Sequence, residues 1–133
     1  MRRLAALLLA ALAAAASGPV AAQVPHARDV RLDGQSIVGR WWAVEVVGDD
    51  EATDDLRRGT LTTALVVNPT GHVILRGSDR RQGGGAASAF SGRINGDRVR
   101  FKDLPGEAEV EWLGGRLHFV DPRGRRTVFV RER

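Results

Sequence analysis

Few side chains in this sequence have the type and spacing that enzyme chemistry requires. His26, His72 and His118 lie far apart, and the chain contains no cysteine, so no catalytic pair and no common structural zinc site is indicated. Ser88 and Ser91 are not surrounded by a nucleophile motif. The sequence therefore predicts that the protein is not an enzyme and holds no metal.

Two other segments resemble cofactor-binding loops only in composition. The acidic run Asp49–Asp55 has neither the spacing nor the internal glycine of an EF-hand. Its acids come first, its bases follow and Gly59 ends it, which is typical of a short solvated helix with Asp50 as the N-cap. Gly83–Gly85 is followed by a strand pattern, whereas a phosphate loop needs Lys-Ser/Thr and a helix. We expect no cofactor.

The aromatic residues are the best candidates for binding. Trp41 and Trp42 lie in the apolar run Gly39–Val47, whose inner face the pattern does not decide. If Trp41 points inward, strand alternation places Glu45 on the same face, where it contacts a ligand, pairs with a base such as Arg93 or reaches the rim. The aromatic residues could equally form a packed core. The candidate ligand-binding residues are Trp41, Glu45, Phe90, Phe101 and Trp112.

The chain that surrounds these residues is built of short strands and turns. Gly39–Val47 is followed by the predicted helix and then by seven strands with turn signatures such as Asn68-Pro69-Thr70-Gly71 and Asn95-Gly96. Even spacing with short connections is typical of a meander. We therefore predict an all-β fold, an eight-stranded antiparallel up-and-down barrel over residues 36–133, with one short helix between strands 1 and 2. An open sheet or a sandwich is the alternative.

Two neighbouring predicted strands carry opposite charges on their outward faces. Arg98, Arg100 and Lys102 alternate with apolar residues, and the strand Glu107–Trp112 alternates three acids with Ala108, Val110 and Trp112. A hairpin would set the two rows opposite each other. The pairs contribute little energy when exposed, but a slip of one residue would bury charge, so they specify the register.

The N-terminus has the three parts of a secretory signal peptide. A basic start precedes the apolar run Leu4–Ala16, and Val20-Ala21-Ala22 supplies small residues for cleavage. The alternative is a membrane anchor, but the run falls short of the roughly 20 residues that a spanning helix needs. We predict a signal peptide over residues 1–22 with cleavage after Ala22, and a periplasmic or secreted mature protein. No cysteine follows for lipid attachment.

The mature chain would begin with an extended tail over residues 23–35. Loss of Arg2 and Arg3 removes two of the net +4 charges and leaves +2. So small an excess does not indicate a nucleic-acid-binding surface. We expect no nucleic-acid partner and no membrane span in the mature chain.

The layout resembles the lipocalin-like (calycin) barrels, of a small exported bacterial type. The matching motif is Gly39-Arg40-Trp41 on the first strand. The resemblance implies that Trp41 plugs the closed end of the barrel and that an arginine near the last strand packs over it, with Arg131 the first choice and Arg126 the second. The chain is shorter than typical lipocalins and lacks their Thr-Asp-Tyr-type motif and their cysteines.

Three functions are compatible with this resemblance. The first is binding of a small apolar ligand in a pocket that opens near the helix and the Gly77–Ala86 loop. The second is a protein-binding module such as a protease inhibitor, acting through the tail over residues 23–33. The third is an envelope protein whose barrel is filled by its own side chains.

Overall fold

The computed structural model describes residues 30–81 and 86–133. The predicted signal peptide, the tail up to residue 29 and Gly83–Gly85 lie outside the described residues. The described chain forms ten strands and one helix in this order: β1 (Arg31–Leu32), β2 (Gln35–Ser36), β3 (Gly39–Val46), α1 (Asp50–Arg58), β4 (Leu61–Val67), β5 (His72–Asp79), β6 (Ala86–Asn95), β7 (Arg98–Phe101), β8 (Ala108–Leu113), β9 (Arg116–Val120) and β10 (Arg126–Arg131).

Strands β3 to β10 form the predicted barrel. Each strand pairs antiparallel with the next, and β10 returns to β3 to close the sheet. The all-β fold, the eight barrel strands and the helix between the first two of them are thus confirmed. Closure removes the two long edges that an open sheet would expose.

The two ends of the barrel differ in their connections. At one end, which we call the closed end, tight turns join β4 to β5, β6 to β7 and β8 to β9, and the β1–β2 hairpin lies there. The other end, the open end, carries α1 and the β5–β6, β7–β8 and β9–β10 connections. The wider connections therefore surround one mouth.

Helix α1 is fixed across the open end by its caps and by a threonine. The carboxylate of Asp49, and not that of Asp50 as predicted, accepts a hydrogen bond from the Ala52 N–H at 2.9 Å. Gly59 ends the helix in the left-handed conformation, with φ of 79°. The N–H of Val46 donates to Thr53 Oγ1 at 3.0 Å, so the helix is tied directly to the end of β3.

A β-bulge between β3 and β10 reverses the faces of the first barrel strand. Val128 pairs with Glu45 and the next residue, Phe129, pairs with Ala43, so one residue of β3, Val44, has no opposite partner. Such an extra residue shifts the side-chain alternation by one. Trp41 and Ala43 consequently point inward, but Val46 takes the inward position beyond the bulge.

The predicted inward position of Glu45 is therefore wrong. Its side chain lies on the outer surface beside Arg57, Arg116 and Val130. Simple alternation from Trp41 predicts that Glu45 points inward, because it counts residues along β3 alone. The bulge that turns Glu45 outward arises from the pairing of β3 with β10, which the sequence of β3 does not show.

The closed half of the barrel is densely filled. The side chains of this core come from β3, β4, β5, β7, β8 and β9 and from the segment before the barrel, and each is at most 8% exposed: Leu32, Ile37, Trp41, Leu65, Val67, Val73, Val99, Val110 and Leu117. Leu32 belongs to the β1–β2 hairpin, so the last part of the predicted tail packs against the barrel. Burial of these apolar side chains is the main source of stability for a chain without disulfides.

The predicted charge rows lie opposite each other on the outer face. Arg98 is the register partner of Glu109, and their side chains form an ion pair at 3.1 Å. Arg100 pairs with Glu107 at 3.2 Å. The prediction that the two outward faces meet is confirmed.

Candidate functional site

Trp41 seals the closed end of the barrel. Its side chain is completely buried, its indole N–H donates to the carbonyl of Ile37 at 2.9 Å, and the ring of Trp112 meets it edge-on at 5.7 Å. The ring therefore has both an apolar environment and a partner for its polar atom, as a buried tryptophan requires. Trp41 therefore fills the lumen at this end.

Arg131, and not Arg126, lies over Trp41. Its guanidinium carbon is 4.3 Å from the ring centroid, in the range of a cation–π contact. The same guanidinium donates to the carbonyls of Val38 and Ser36 at 2.7 and 2.6 Å. Arg131 thus joins the last strand, the first strand and the segment that leads into it.

The backbone conformation and the nearby Arg131 explain why the Gly-x-Trp motif requires glycine at position 39. Gly39 has φ of 138°, a conformation that other residues adopt with strain. A Cβ at this position would also lie 3.0 Å from a terminal nitrogen of Arg131. Glycine, arginine and tryptophan are therefore three parts of one closure.

The open half of the barrel contains a cavity of about 370 Å³. Its inward wall combines small residues, chiefly Ala43, Thr63, Ala108 and Thr127, with larger apolar ones. The side chains that enclose it are mostly apolar: Ala43, Val46, Leu56, Leu61, Leu75, Phe101, Leu104, Pro105, Ala108, Phe119, Pro122 and Phe129. A cavity of this size and character is at the lower end of the range for small-molecule sites.

Three phenylalanines form one side of the cavity. Phe119 contacts Phe101, with ring centroids 6.0 Å apart, and Phe129, with centroids 6.3 Å apart. All three are buried and belong to the continuous core. Their packing fixes them in place, so the wall that a ligand would contact is largely preformed.

The two arginines at the mouth are ion-paired, and the one carboxylate of the lining is held by backbone N–H groups. Arg81 donates to both carboxylate oxygens of Asp79, at 3.0 and 2.7 Å, and this contact lowers the pKa of Asp79 to about 2. Arg125 donates to Asp49 at 3.0 Å. Asp121 accepts the backbone N–H of Arg125 at 2.9 Å. Within the described part of the lining, both arginines are ion-paired, so neither is free to hold an anionic group of a ligand.

The predicted ligand-binding residues are largely separated by the structure. Phe101 lines the cavity. Trp41 and Trp112 lie in the closed half, and Phe90 packs against the core without lining the cavity. Glu45 is on the outer surface.

The lining residues that sequence reasoning missed come mainly from α1 and the connections. Leu56, Leu104 and Pro105 are examples. Residue size along the strands gives no simple signal, because the cavity wall mixes small residues such as Ala43 and Ala108 with large ones such as Phe119.

A polar cluster on the outer face surrounds His118. Arg126 donates to Glu111 at 3.1 Å and lies 3.2 Å from the His118 ring nitrogen Nδ1. Partial burial and then the positive charge of Arg126 lower the pKa of His118, which favours the neutral form of the ring. Among the described residues no group of His, Asp and Glu is arranged to hold a metal ion.

Comparison of the chain with known protein families, curated proteins and solved structures finds no match. The described part of the chain contains no helix with the length and hydrophobicity needed to span a membrane. Only the geometry of the barrel itself therefore indicates a function.

Proposed function

We propose that the barrel binds a small, uncharged, largely apolar molecule in the cavity of its open half. The observation that carries this proposal is the cavity of about 370 Å³, with its mostly apolar wall and its paired charges at the mouth. Burial of an anionic group beside these paired arginines would leave that group without a counter-ion and would be costly. An apolar ligand gains from the same surroundings.

The location of the tryptophans decides how binding should be measured. Trp41 and Trp112 lie in the closed half and Trp42 is on the outer face. Intrinsic tryptophan fluorescence is therefore a poor reporter of cavity occupancy. An uncharged apolar fluorophore such as N-phenyl-1-naphthylamine, which brightens in apolar surroundings, tests the site directly.

The decisive variant is Ala43→Phe, which fills the cavity from β3. Ala87→Phe is its matched control, because Ala87 is exposed on the outer face of β6. We expect the Ala43 variant to bind the fluorophore about tenfold more weakly or not at all, and the Ala87 variant to bind like the parent chain. Ala108→Phe fills the same space from β8 and repeats the test. Unchanged binding in folded Ala43 and Ala108 variants would exclude the cavity as the site.

We also infer that the chain is a small lipocalin-like barrel. Two observations support this inference. Arg131 lies over the ring of Trp41, as the resemblance implies, and the close approach of Arg131 accounts for the glycine of the motif at Gly39. The filled closed half explains why the chain can be shorter than typical lipocalins and still retain a cavity at the other end.

We propose, in addition, that the protein is exported and acts in the periplasm or outside the cell. The support is the three-part N-terminal pattern that ends at Ala22. An exported binding protein would meet its ligand outside the cytoplasm.

A further inference from the structure

The sixth strand has an unpaired edge in the wall of the barrel. β6 pairs with β5 over Ala86–Arg93, but with β7 only over Gly92–Asn95. The last hydrogen bond between β6 and this neighbour runs from the N–H of Lys102, the residue that follows β7, to the carbonyl of Ser91 at 2.8 Å. Asp103 then adopts a left-handed conformation, with φ of 70°, and turns the chain away. The open-end half of β6 therefore continues without a partner on that side.

The alternation of the ladder identifies the unpaired backbone groups. The N–H of Ile94 bonds toward β5, whereas the carbonyl of Ser91 bonds toward β7 through Lys102. The register between β5 and β6 is continuous, so the odd-numbered residues direct both polar groups toward β7. In the described ranges no partner lies on that side for the N–H and C=O of Ala87 and Ala89 or for the N–H of Ser91.

Within the described residues of β6, this edge lacks the sequence features that usually prevent strand addition. Between Ala86 and Ser91 there is no charged residue, no proline and no bulge. Ala87 and Ala89 are exposed, and their small side chains leave the backbone accessible. Edges of this kind pair readily with another extended chain.

The charges around the edge are mostly positive. Arg76 is the direct cross-strand neighbour of Ala89, and Lys102 lies where the ladder stops. Arg76, Arg93 and Lys102 are all exposed, and among the described residues none has a carboxylate within ion-pair distance. Asp103 is one acid beside them. The balance favours a negatively charged partner.

We propose that the edge of β6 binds an extended acidic segment of a partner protein by strand addition. The partner's backbone would pair with Ala87, Ala89 and Ser91. Its outward side chains would lie within about two strand spacings, roughly 10 Å, of Arg76, and acidic residues there would meet the positive charge. Its inward side chains would face Phe90, which favours small apolar residues. The edge contributes no residue to the cavity lining, and its backbone pairing does not require a ligand in the cavity.

A labelled peptide of alternating glutamate and valine tests the proposal by fluorescence anisotropy against the mature chain. Ala89→Pro removes one unpaired N–H and places a ring on the edge, but it breaks no bond of the β5 ladder. Ala89→Val is the control that keeps the N–H. We expect the proline variant to bind about tenfold more weakly and the valine variant to bind like the parent chain. A peptide of alternating lysine and valine should bind more weakly than the acidic one.

Charge reversal gives a second test that does not alter the backbone. Arg76→Glu should weaken binding of the acidic peptide, whereas Arg123→Glu, the same change at an exposed residue of the β9–β10 turn, should not. Hydrogen exchange gives a third, because the peptide should slow exchange of the Ala87, Ala89 and Ser91 amides.

Three results would overturn the proposal. The first is no binding of the acidic peptide at millimolar concentration. The second is equal binding by the Ala89→Pro and Ala89→Val variants. The third is a dimer of the parent chain that Ala89→Pro dissociates, which would identify a second copy of this chain as the occupant of the edge.

Discussion

Replacement of Arg131 by methionine should destabilise the barrel far more than the same replacement of Arg126. Arg131 makes one cation–π contact with Trp41 and two hydrogen bonds to main-chain carbonyls. At a partly exposed side chain the cation–π contact contributes about 0.5–1 kcal/mol, and each hydrogen bond contributes about 1 kcal/mol net. Their loss should therefore cost about 2–3 kcal/mol. Methionine retains much of the apolar stem of arginine. The loss of unfolding free energy therefore reports mainly the contacts of the guanidinium.

Arg126 is the matched control because it is an arginine of the same strand with an outward contact. Its ion pair with Glu111 lies on the surface, where such pairs contribute about 0–1 kcal/mol. Urea unfolding monitored by circular dichroism gives both free energies, and thermal melting should show a difference of roughly 10 °C for a domain of this size. If the two variants lose the same stability within about 0.5 kcal/mol, the closure described for Trp41 is not a major source of stability.

Three other predictions concern the same closure, the mouth and the N-terminus. Gly39→Ala should lower the free energy of unfolding in urea by about 1–3 kcal/mol because of the backbone conformation at this position. The loss should be smaller when Arg131 is already replaced, because the added Cβ then has no guanidinium beside it. An equal loss in both backgrounds would contradict a steric conflict between the Cβ and Arg131. Asp79 has a folded pKa of about 2, below its ordinary value of 3.8, so its contribution to stability is complete above pH 4 and is lost as the pH falls toward 2. In low salt, Asp79→Asn should flatten the dependence of the unfolding free energy on pH over that range. An unchanged slope would refute this assignment. In a bacterial host the full-length chain should be recovered from the periplasm or medium with Gln23 as its first residue, and N-terminal sequencing that finds an intact leader would contradict cleavage after Ala22.

Most of the barrel could be predicted because its determinants are local. The pairing Arg98–Glu109 follows from alternation along two short strands joined by a polar turn. The helix between Asp49 and Gly59 follows from charge order and a terminal glycine. Alternation and turn chemistry act over a few residues, so the sequence exposes them directly.

The errors arose where the outcome depends on pairing between distant segments. Glu45 points outward because β3 contains an extra residue opposite β10, and that bulge has no distinctive sequence near Val44. The N-cap falls on Asp49 and not on Asp50, because two adjacent acids satisfy the same local rule and the packing of Thr53 against β3 selects between them.

The position of the cavity could not be read from the aromatic residues alone. Strand direction divides the aromatic residues between the two ends. Phe101 ends β7, which runs toward the open end, and it reaches the cavity. Trp112 lies near the end of β8, which runs toward the closed end, and it packs beside Trp41. Which end holds the cavity depends on how the side chains of the whole barrel fill each half.

If the open half binds a ligand as proposed, the two halves of the barrel divide the requirements of stability and binding between them. The closed half contains the buried aliphatic side chains and the Trp41–Arg131 closure, and it is completed by the β1–β2 hairpin. Because this half forms a continuous core with Phe101, Phe119 and Phe129, the open half can keep small inward residues without collapse of its wall. The unpaired part of β6 lies in that same open half. Ladder bonds are thus fewest near the cavity, which is where a binding protein needs to yield when a ligand enters.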